Sequence, residues 1–436
     1  MTLTNKLSKK PTYLALYGII FSFLTYSSMY AFRKPFAVAT FEGVELAGMS
    51  IKVWFIIAQM VGYTLSKFIG IKVISEMKHS NRTFSILIMI GIAGLALIGF
   101  GFAPIPYKVV FLFLNGLPLG MVWGVVFSYL EGRKNTELMG AGLAVSFIFS
   151  SGFVKSIGMY IMLNWGVSEY WMPFVTAALF IPLLVISASM LNKLPPPSKE
   201  DISQRTQRTS MTRKERMAFF KQFSMGLILL IAVYILLTAF RDLRDNFAAE
   251  IWAQLGYSDS PELFTLTEVP ISLGVLVLVG LVMLIKNNMK AFMVNHLMIL
   301  VGALTVGIST LLFTNQLMSP VLWMVLSGFG LYLGYVPFNA ILFERLIATF
   351  KYASNIGFAM YLADSFGYLG SVGVMLFKDF AKKDVSWLNF FISGSFVLGA
   401  AGVLLTFGSG IYFYLKYIKE KETYNAVSSA PEAMLT

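Results

Sequence analysis

Twelve stretches of this chain are long and apolar enough to cross a lipid bilayer, near residues 12–41, 53–75, 83–103, 107–131, 138–163, 170–191, 222–243, 263–285, 291–314, 319–343, 353–378 and 387–417. About 20 apolar residues in an α-helix span the ~30 Å hydrocarbon core. No water reaches that core, so a spanning segment must satisfy its own backbone as a helix or within a closed barrel. Barrel strands need only about 10 residues of alternating character, which these continuous runs do not match. The chain therefore reads as an all-α polytopic membrane protein with twelve transmembrane helices. Only 13% of its residues are charged, roughly half the share usual in soluble domains.

The first stretch is too long for the core of a secretory signal and lacks a small-residue cleavage site, so it is expected to stay as helix 1. The chain has no cysteine, which excludes disulfides and thiolate metal sites; no metal and no cofactor is expected. A net charge of +12 raises the question of a nucleic-acid partner. Its distribution gives the answer. With a cytoplasmic N-terminus, the inner segments hold 21 Lys and Arg, and the outer loops hold four, namely Lys52, Arg244, Lys382 and Lys383. That bias is a topology signal. It predicts a multi-pass protein of the cytoplasmic (inner) membrane with both termini inside, a functional monomer whose partners are the lipid bilayer and a small solute, with no nucleic acid.

Residues 192–221, "NKLPPPSKEDISQRTQRTSMTRKERMAFFK", are the longest polar stretch. Three prolines stop the preceding helix, and the basic remainder cannot bury a core. The expected units are a six-helix bundle over 1–193, a basic cytoplasmic linker over 194–221 and a second six-helix bundle over 222–436. The bundles repeat one another. The fifth stretch, "GLAVSFIFSSGFVKSIG" (142–158), matches the eleventh, "GFAMYLADSFGYLGSVG" (357–373), at six positions without a gap. "YAFRKPF" in the first stretch matches "TAFRDLR" in the seventh. Two same-sense six-helix repeats with a site at the midplane are the plan of the major facilitator transporters. Gly116, Gly120 and Gly124, with Gly330 and Gly334, form small-residue faces suited to close helix packing.

Against this apolar background a few charges stand out. An ionisable residue inside a membrane segment costs several kcal/mol unless it meets water or a partner, so its default reading is functional. Arg33 and Lys34 interrupt the first stretch, and apolar sequence resumes at Phe36 and runs to Phe41. Helix 1 is therefore expected to continue past Arg33 and tilt around a cavity. Arg241 holds the matching position in the seventh stretch, so two guanidinium groups should face each other across that cavity. Their planar fork suits phosphate or carboxylate and stays charged at any physiological pH. Asp242 and Asp245, beside Arg241, keep structural ion pairing open as an alternative. Lys67 lies too deep in the second stretch to snorkel easily. Asp364 is its expected partner, and Lys155 is expected to pair with Glu268. Tyr30 and Tyr63 are candidate lining residues.

"YAFRKPFAVA" followed by "VGYTLSKFIG" resembles the organophosphate:phosphate antiporters, the glycerol-3-phosphate and hexose-phosphate transporters. The likeness is sharp over about 60 N-terminal residues, and Glu268 in "LTEVPISLG" falls where that family has an intramembrane glutamate. The resemblance implies that Arg33 and Arg241 clamp a phosphoryl group, with Lys67 as the second-helix lysine. Substrate binding is thus expected at Arg33, Arg241, Lys67, Tyr30 and Tyr63. Gating or coupling is expected at Lys34, Lys155, Glu268, Asp364, Arg244 and Asp245. The chain departs from the family in lacking its fifth-helix histidine.

The expected function is secondary active transport of a small anionic, phosphorylated metabolite by alternating access, in exchange for inorganic phosphate. Two empty arginines would resist closure into a low-dielectric state, which favours exchange. No phosphate-binding G-x-x-x-x-G-K-[ST] motif is present, so a gradient supplies the energy. The alternative is a proton-coupled carrier of a carboxylate or sugar, with Asp364 or Glu268 accepting the proton. A membrane enzyme would need a nucleophile or metal cluster that the sequence does not offer, and no catalytic residue is expected.

Overall fold

A computed structural model describes residues 11–75, 77, 81–131, 133, 136–198, 201, 213–352 and 356–428. The linker expected at 194–221 lies largely outside these residues. The described residues form fourteen α-helices: α1 (Pro11–Ala31), α2 (Ile51–Ser75), α3 (Arg82–Phe102), α4 (Ile105–Ser128), α5 (Thr136–Trp165), α6 (Met172–Leu191), α7 (Arg213–Asn246), α8 (Ala248–Gln254), α9 (Glu262–Met283), α10 (Asn288–Thr314), α11 (Pro320–Ala340), α12 (Leu342–Thr349), α13 (Ile356–Ala381) and α14 (Trp387–Ser428). Eleven are long and apolar enough to cross a membrane. The helix that fills the place of the expected eleventh span, α13, has a span's length at 26 residues but carries Asp364, Lys378 and Asp379.

Helices α1 to α6 pack chiefly on one another: α2 and α3 on α4, and α1 on α5 and α6. Helices α7 to α14 do the same, with α13 and α14 on α7, and α10 between α11 and α14. The most extensive contact across the two groups runs through three helix pairs, α5 with α9, α2 with α13 and α5 with α11. Close approach explains the glycine faces. A Cβ on Gly116 or Gly120 of α4 would overlap the carbonyl oxygens of Gln59 and Tyr63 on α2, so only hydrogen fits there.

Helix α1 does not continue to Phe41 as expected. It ends at Ala31, and after a turn through Arg33 and Lys34 a short 3₁₀ helix follows at Pro35–Val38. Pro35 has no N–H to carry the i→i−4 ladder past Lys34, whose own backbone is still helical (φ −102°, ψ −23°), and this stops the helix despite the apolar sequence beyond. The chain then forms a two-residue hairpin, β1 (Glu45–Leu46) against β2 (Met49–Ser50). Ala47 and Gly48 both have positive φ (51° and 78°), the combination that a tight type I′ turn requires. This turn marks one end of the molecule, the hairpin end.

Candidate functional site

Gln59 fixes the depth of Arg33. Its side-chain amide donates to the Arg33 carbonyl at 2.9 Å, and at 1.5 Å per residue Gln59 lies about 12 Å along α2 from Ile51. Arg33 is therefore well inside the bundle because α1 stops short. Asn115 of α4 ties this arrangement together, accepting from Gln59 at 2.8 Å and donating to the Phe32 carbonyl at 3.0 Å.

The Arg33 guanidinium lies flat against Tyr63, 3.8 Å from the ring centre, with Tyr30 at 5.9 Å. Among the described residues it has no carboxylate partner, and its Nε is buried without a hydrogen bond. Arg241 is placed differently. Its guanidinium stacks on Tyr335 at 3.9 Å and pairs with Asp242, the next residue of α7, at 2.6 Å. Ser371 of α13 donates to the other Asp242 oxygen at 2.9 Å. The two arginines expected to face each other across open space are thus unequal: Arg33 is unpaired and Arg241 is neutralised. A chain of side chains connects them. Tyr63 contacts Tyr368 (centroids 6.3 Å), Tyr368 hydroxyl accepts from Lys67 at 3.2 Å, and Lys67 pairs with Asp364 at 2.9 Å. Tyr234 donates its hydroxyl to Asp364 and stacks on Tyr335, centroids 5.2 Å apart.

Lys67 and Asp364 meet as expected, joining α2 to α13. The expected Lys155–Glu268 pair does not form. Lys155 binds Asp245 at 2.5 Å, and Glu268 binds Arg244 at 2.6 Å. The reason is distance along the interior: Arg244 projects from α7 straight at α9, and Asp245, one residue on, turns to the first group of helices. Asp245 is shared, since Lys34 also pairs with it while donating to Asn246 at 2.9 Å. Ser151 adds a hydroxyl to the same carboxylate at 2.5 Å.

Further contacts join the two groups at the hairpin end. Lys52, fully buried, pairs with Glu250 of α8 at 2.5 Å and donates to the Ala37 carbonyl at 2.8 Å. The Ser50 amide donates to Asp379 at 2.9 Å, and exposed Glu45 pairs with Lys383 at 2.8 Å. Farther from that end the seam between α5, α9 and α11 is apolar, lined by Ala141, Ala144, Val145, Val275, Val279 and Val336.

Residues 35–416 match the family described as "Family of unknown function (DUF5690)". The chain belongs to that family. No curated protein matches this DUF5690 member. Its fold is similar to two solved transporters. The D-xylose-proton symporter has a TM-score of 0.59 at 13% identity, covering 91% of this chain and 96% of its own. The nucleoside transporter NupG also has 0.59, at 14% identity, covering 92% and 99%. At those identities the likeness is one of fold, the major facilitator fold, and it leaves the organophosphate resemblance of the first helices as a local one.

Sequence reasoning missed Glu250 as the partner of Lys52, while the alternative it left open for Arg241, an ion pair with Asp242, is the arrangement found. A signal for Glu250 was present. Residues 242–250 of this DUF5690 chain hold Asp242, Asp245 and Glu250, an acidic run opposite three lysines of the first half, Lys34, Lys52 and Lys155.

Proposed function

We propose that this chain is a secondary active transporter that moves a small organic anion by alternating access, with residues 1–193 and 222–436 as the moving halves. One observation carries the reading. In the interior, six cations (Arg33, Lys34, Lys67, Lys155, Arg241 and Arg244) face four carboxylates (Asp242, Asp245, Glu268 and Asp364). Two positive charges remain over: among the described residues Arg33 has no carboxylate partner, and two lysines share Asp245. Buried charge without a counter-charge costs several kcal/mol per ion, so the interior favours a cargo that brings negative charge. A guanidinium held open on a tyrosine ring offers its N–H fork to a carboxylate or phosphoryl group. Arg33, Lys67, Tyr30 and Tyr63 are the proposed binding residues. Arg241, tied to Asp242, joins them when the halves move. Lys34 and Lys155 of the first half, with Asp245 of the second, form the contacts that open and close, and Arg244 and Glu268 pair behind them within the second half.

The test is binding and uptake with purified protein. A thermal-shift panel of phosphate, glycerol phosphate, hexose phosphates, gluconate, dicarboxylates, neutral sugars and nucleosides should contain anionic members that stabilise wild type and lose their effect in Arg33→Gln. Radiolabelled versions of those members should then be taken up by proteoliposomes. A panel in which only neutral sugars or nucleosides stabilise the protein overturns the anion reading. Such a result would favour proton-coupled transport of an uncharged solute, the reading toward which the D-xylose-proton symporter points as a structural neighbour.

A further inference from the structure

Resting on that reading, we infer that Asp364 is an internal stand-in for the cargo's charge, and that it takes up the co-transported proton when cargo displaces it, making the protein an anion–proton symporter rather than an exchanger. Three observations converge on this carboxylate. First, Lys67 and Arg33 flank one ring: Lys67 Nζ lies 5.3 Å from the centre of Tyr63, whose face Arg33 covers at 3.8 Å. An anion drawn to unpaired Arg33 is therefore drawn to Lys67 as well. Second, Lys67 is already occupied by Asp364 from the other half, at 2.9 Å. Cargo and Asp364 compete for one ammonium. Third, the other contacts of Asp364 are compatible with either protonation state. A hydroxyl both donates and accepts, so Tyr234, which donates to the carboxylate, can accept from the acid, while Asn339 donates to the Tyr234 oxygen at 3.2 Å.

Among the described residues, the groups around Asp364 leave it no second uncommitted cation to turn to. From α2 come Lys67 and Tyr63, and from its own helix Tyr368. From α7 come Tyr234 and Arg241, the latter held by Asp242. From α11 come Tyr335 and Asn339. Helix α12 supplies Glu344 and Arg345, and Arg345 donates to Asn288 at 2.8 Å. A buried carboxylate that loses its ion-pair partner recovers stability by binding a proton. Cargo then sits on Arg33 and Lys67, the proton sits on Asp364, and both leave together: when the cargo departs, Lys67 re-pairs with Asp364 and the proton is released. The pair would also let the empty carrier reorient, because Lys67 is never left without a counter-charge.

Infrared spectroscopy tests this without knowing the cargo. Replacing the ammonium with an apolar side chain of similar length, Lys67→Met, mimics displacement. At neutral pH the variant should show a carboxylic-acid C=O band absent from wild type and from the double variant Lys67→Met/Asp364→Asn, with monodisperse elution of all three confirming fold. No such band in Lys67→Met overturns the inference. A second arm uses phosphate and gluconate in weakly buffered solution with a pH indicator. About one proton should be taken up per anion bound in wild type and none in Asp364→Asn. Anion binding without proton uptake overturns this inference and leaves the anion reading standing. Failure of both anions, and of the panel above, to bind overturns the anion reading itself, and this inference with it.

Discussion

Gly152 of α5 packs so closely on α9 that a Cβ at this position would overlap the carbonyl oxygen of Phe264 and press on the Glu268 side chain. This is the tightest kind of crossing between the two groups of helices, backbone against backbone, at the pair of helices with the most extensive contact across them. Gly152→Ala should therefore destabilise the protein by about 1–3 kcal/mol, the usual cost of overpacking. Gly373→Ala on α13, where a Cβ meets nothing within 4 Å, should be neutral or slightly stabilising, since alanine favours a helix. Thermal melts in detergent read both. Equal losses would mean that the α5–α9 crossing is not the constraint.

The two arginines should respond to truncation with opposite signs. Arg33→Gln removes a buried cation that has no counter-ion. It forfeits about 1–2 kcal/mol of attraction to Tyr63 but relieves a desolvation cost of several kcal/mol, so the melting temperature should hold or rise while anion binding is lost. Arg241→Gln strands Asp242 and should cost about 3 kcal/mol. A fall in stability for Arg33→Gln as large as for Arg241→Gln would show that Arg33 has a partner after all.

Asp245 is the single counter-charge of two lysines. Asp245→Asn should therefore destabilise by about 3–5 kcal/mol, the penalty for breaking a buried pair from one side. Lys155→Met should cost much less, because Lys34 still neutralises the carboxylate. The double variant Lys155→Met/Asp245→Asn should recover part of the loss. Chemical denaturation or thermal melts of the three variants decide the order.

The absence of native cysteine allows the hairpin end to be tied chemically. With Ser50→Cys and Asp379→Cys joined by a short thiol-reactive bridge, uptake should stop, because the Ser50–Asp379 contact at 2.9 Å joins the halves. Either single variant should keep near-normal uptake, and a cleavable bridge should restore it on reduction. Unimpaired uptake in the bridged protein would place the moving parts elsewhere.

Much of this architecture was legible in the apolar stretches, since a helix in lipid needs a fixed length and nothing else in the chain competes with that pattern. The interior position of Arg33 was legible too, although for a different reason from the one expected: the helix does not tilt past it but stops at Ala31, and Pro35 was the residue to weigh. Charge pairing was less accessible. Lys67 and Asp364 could be matched because both lie deep in facing helices. Lys155 could not be matched, because the internal repeat aligns it with Gly370 and aligns Asp364 with Phe149. The symmetry that organises the backbone carries no information about which ionic groups meet. Those were decided by neighbouring residues on one turn of α7, where Arg244 and Asp245 point to different helices.

A positive surplus held between lipid-facing helices also responds to voltage. Each elementary charge that crosses the full membrane potential exchanges about 2.3 kcal/mol per 100 mV. If Arg33 and the lysine pair on Asp245 change the compartment they face, the empty protein becomes a voltage-driven device, while a doubly negative passenger travelling with the proton on Asp364 leaves the loaded form only one positive charge. The membrane's resting polarity would then choose which way the vacant protein faces, giving the cell a preferred side from which loading begins.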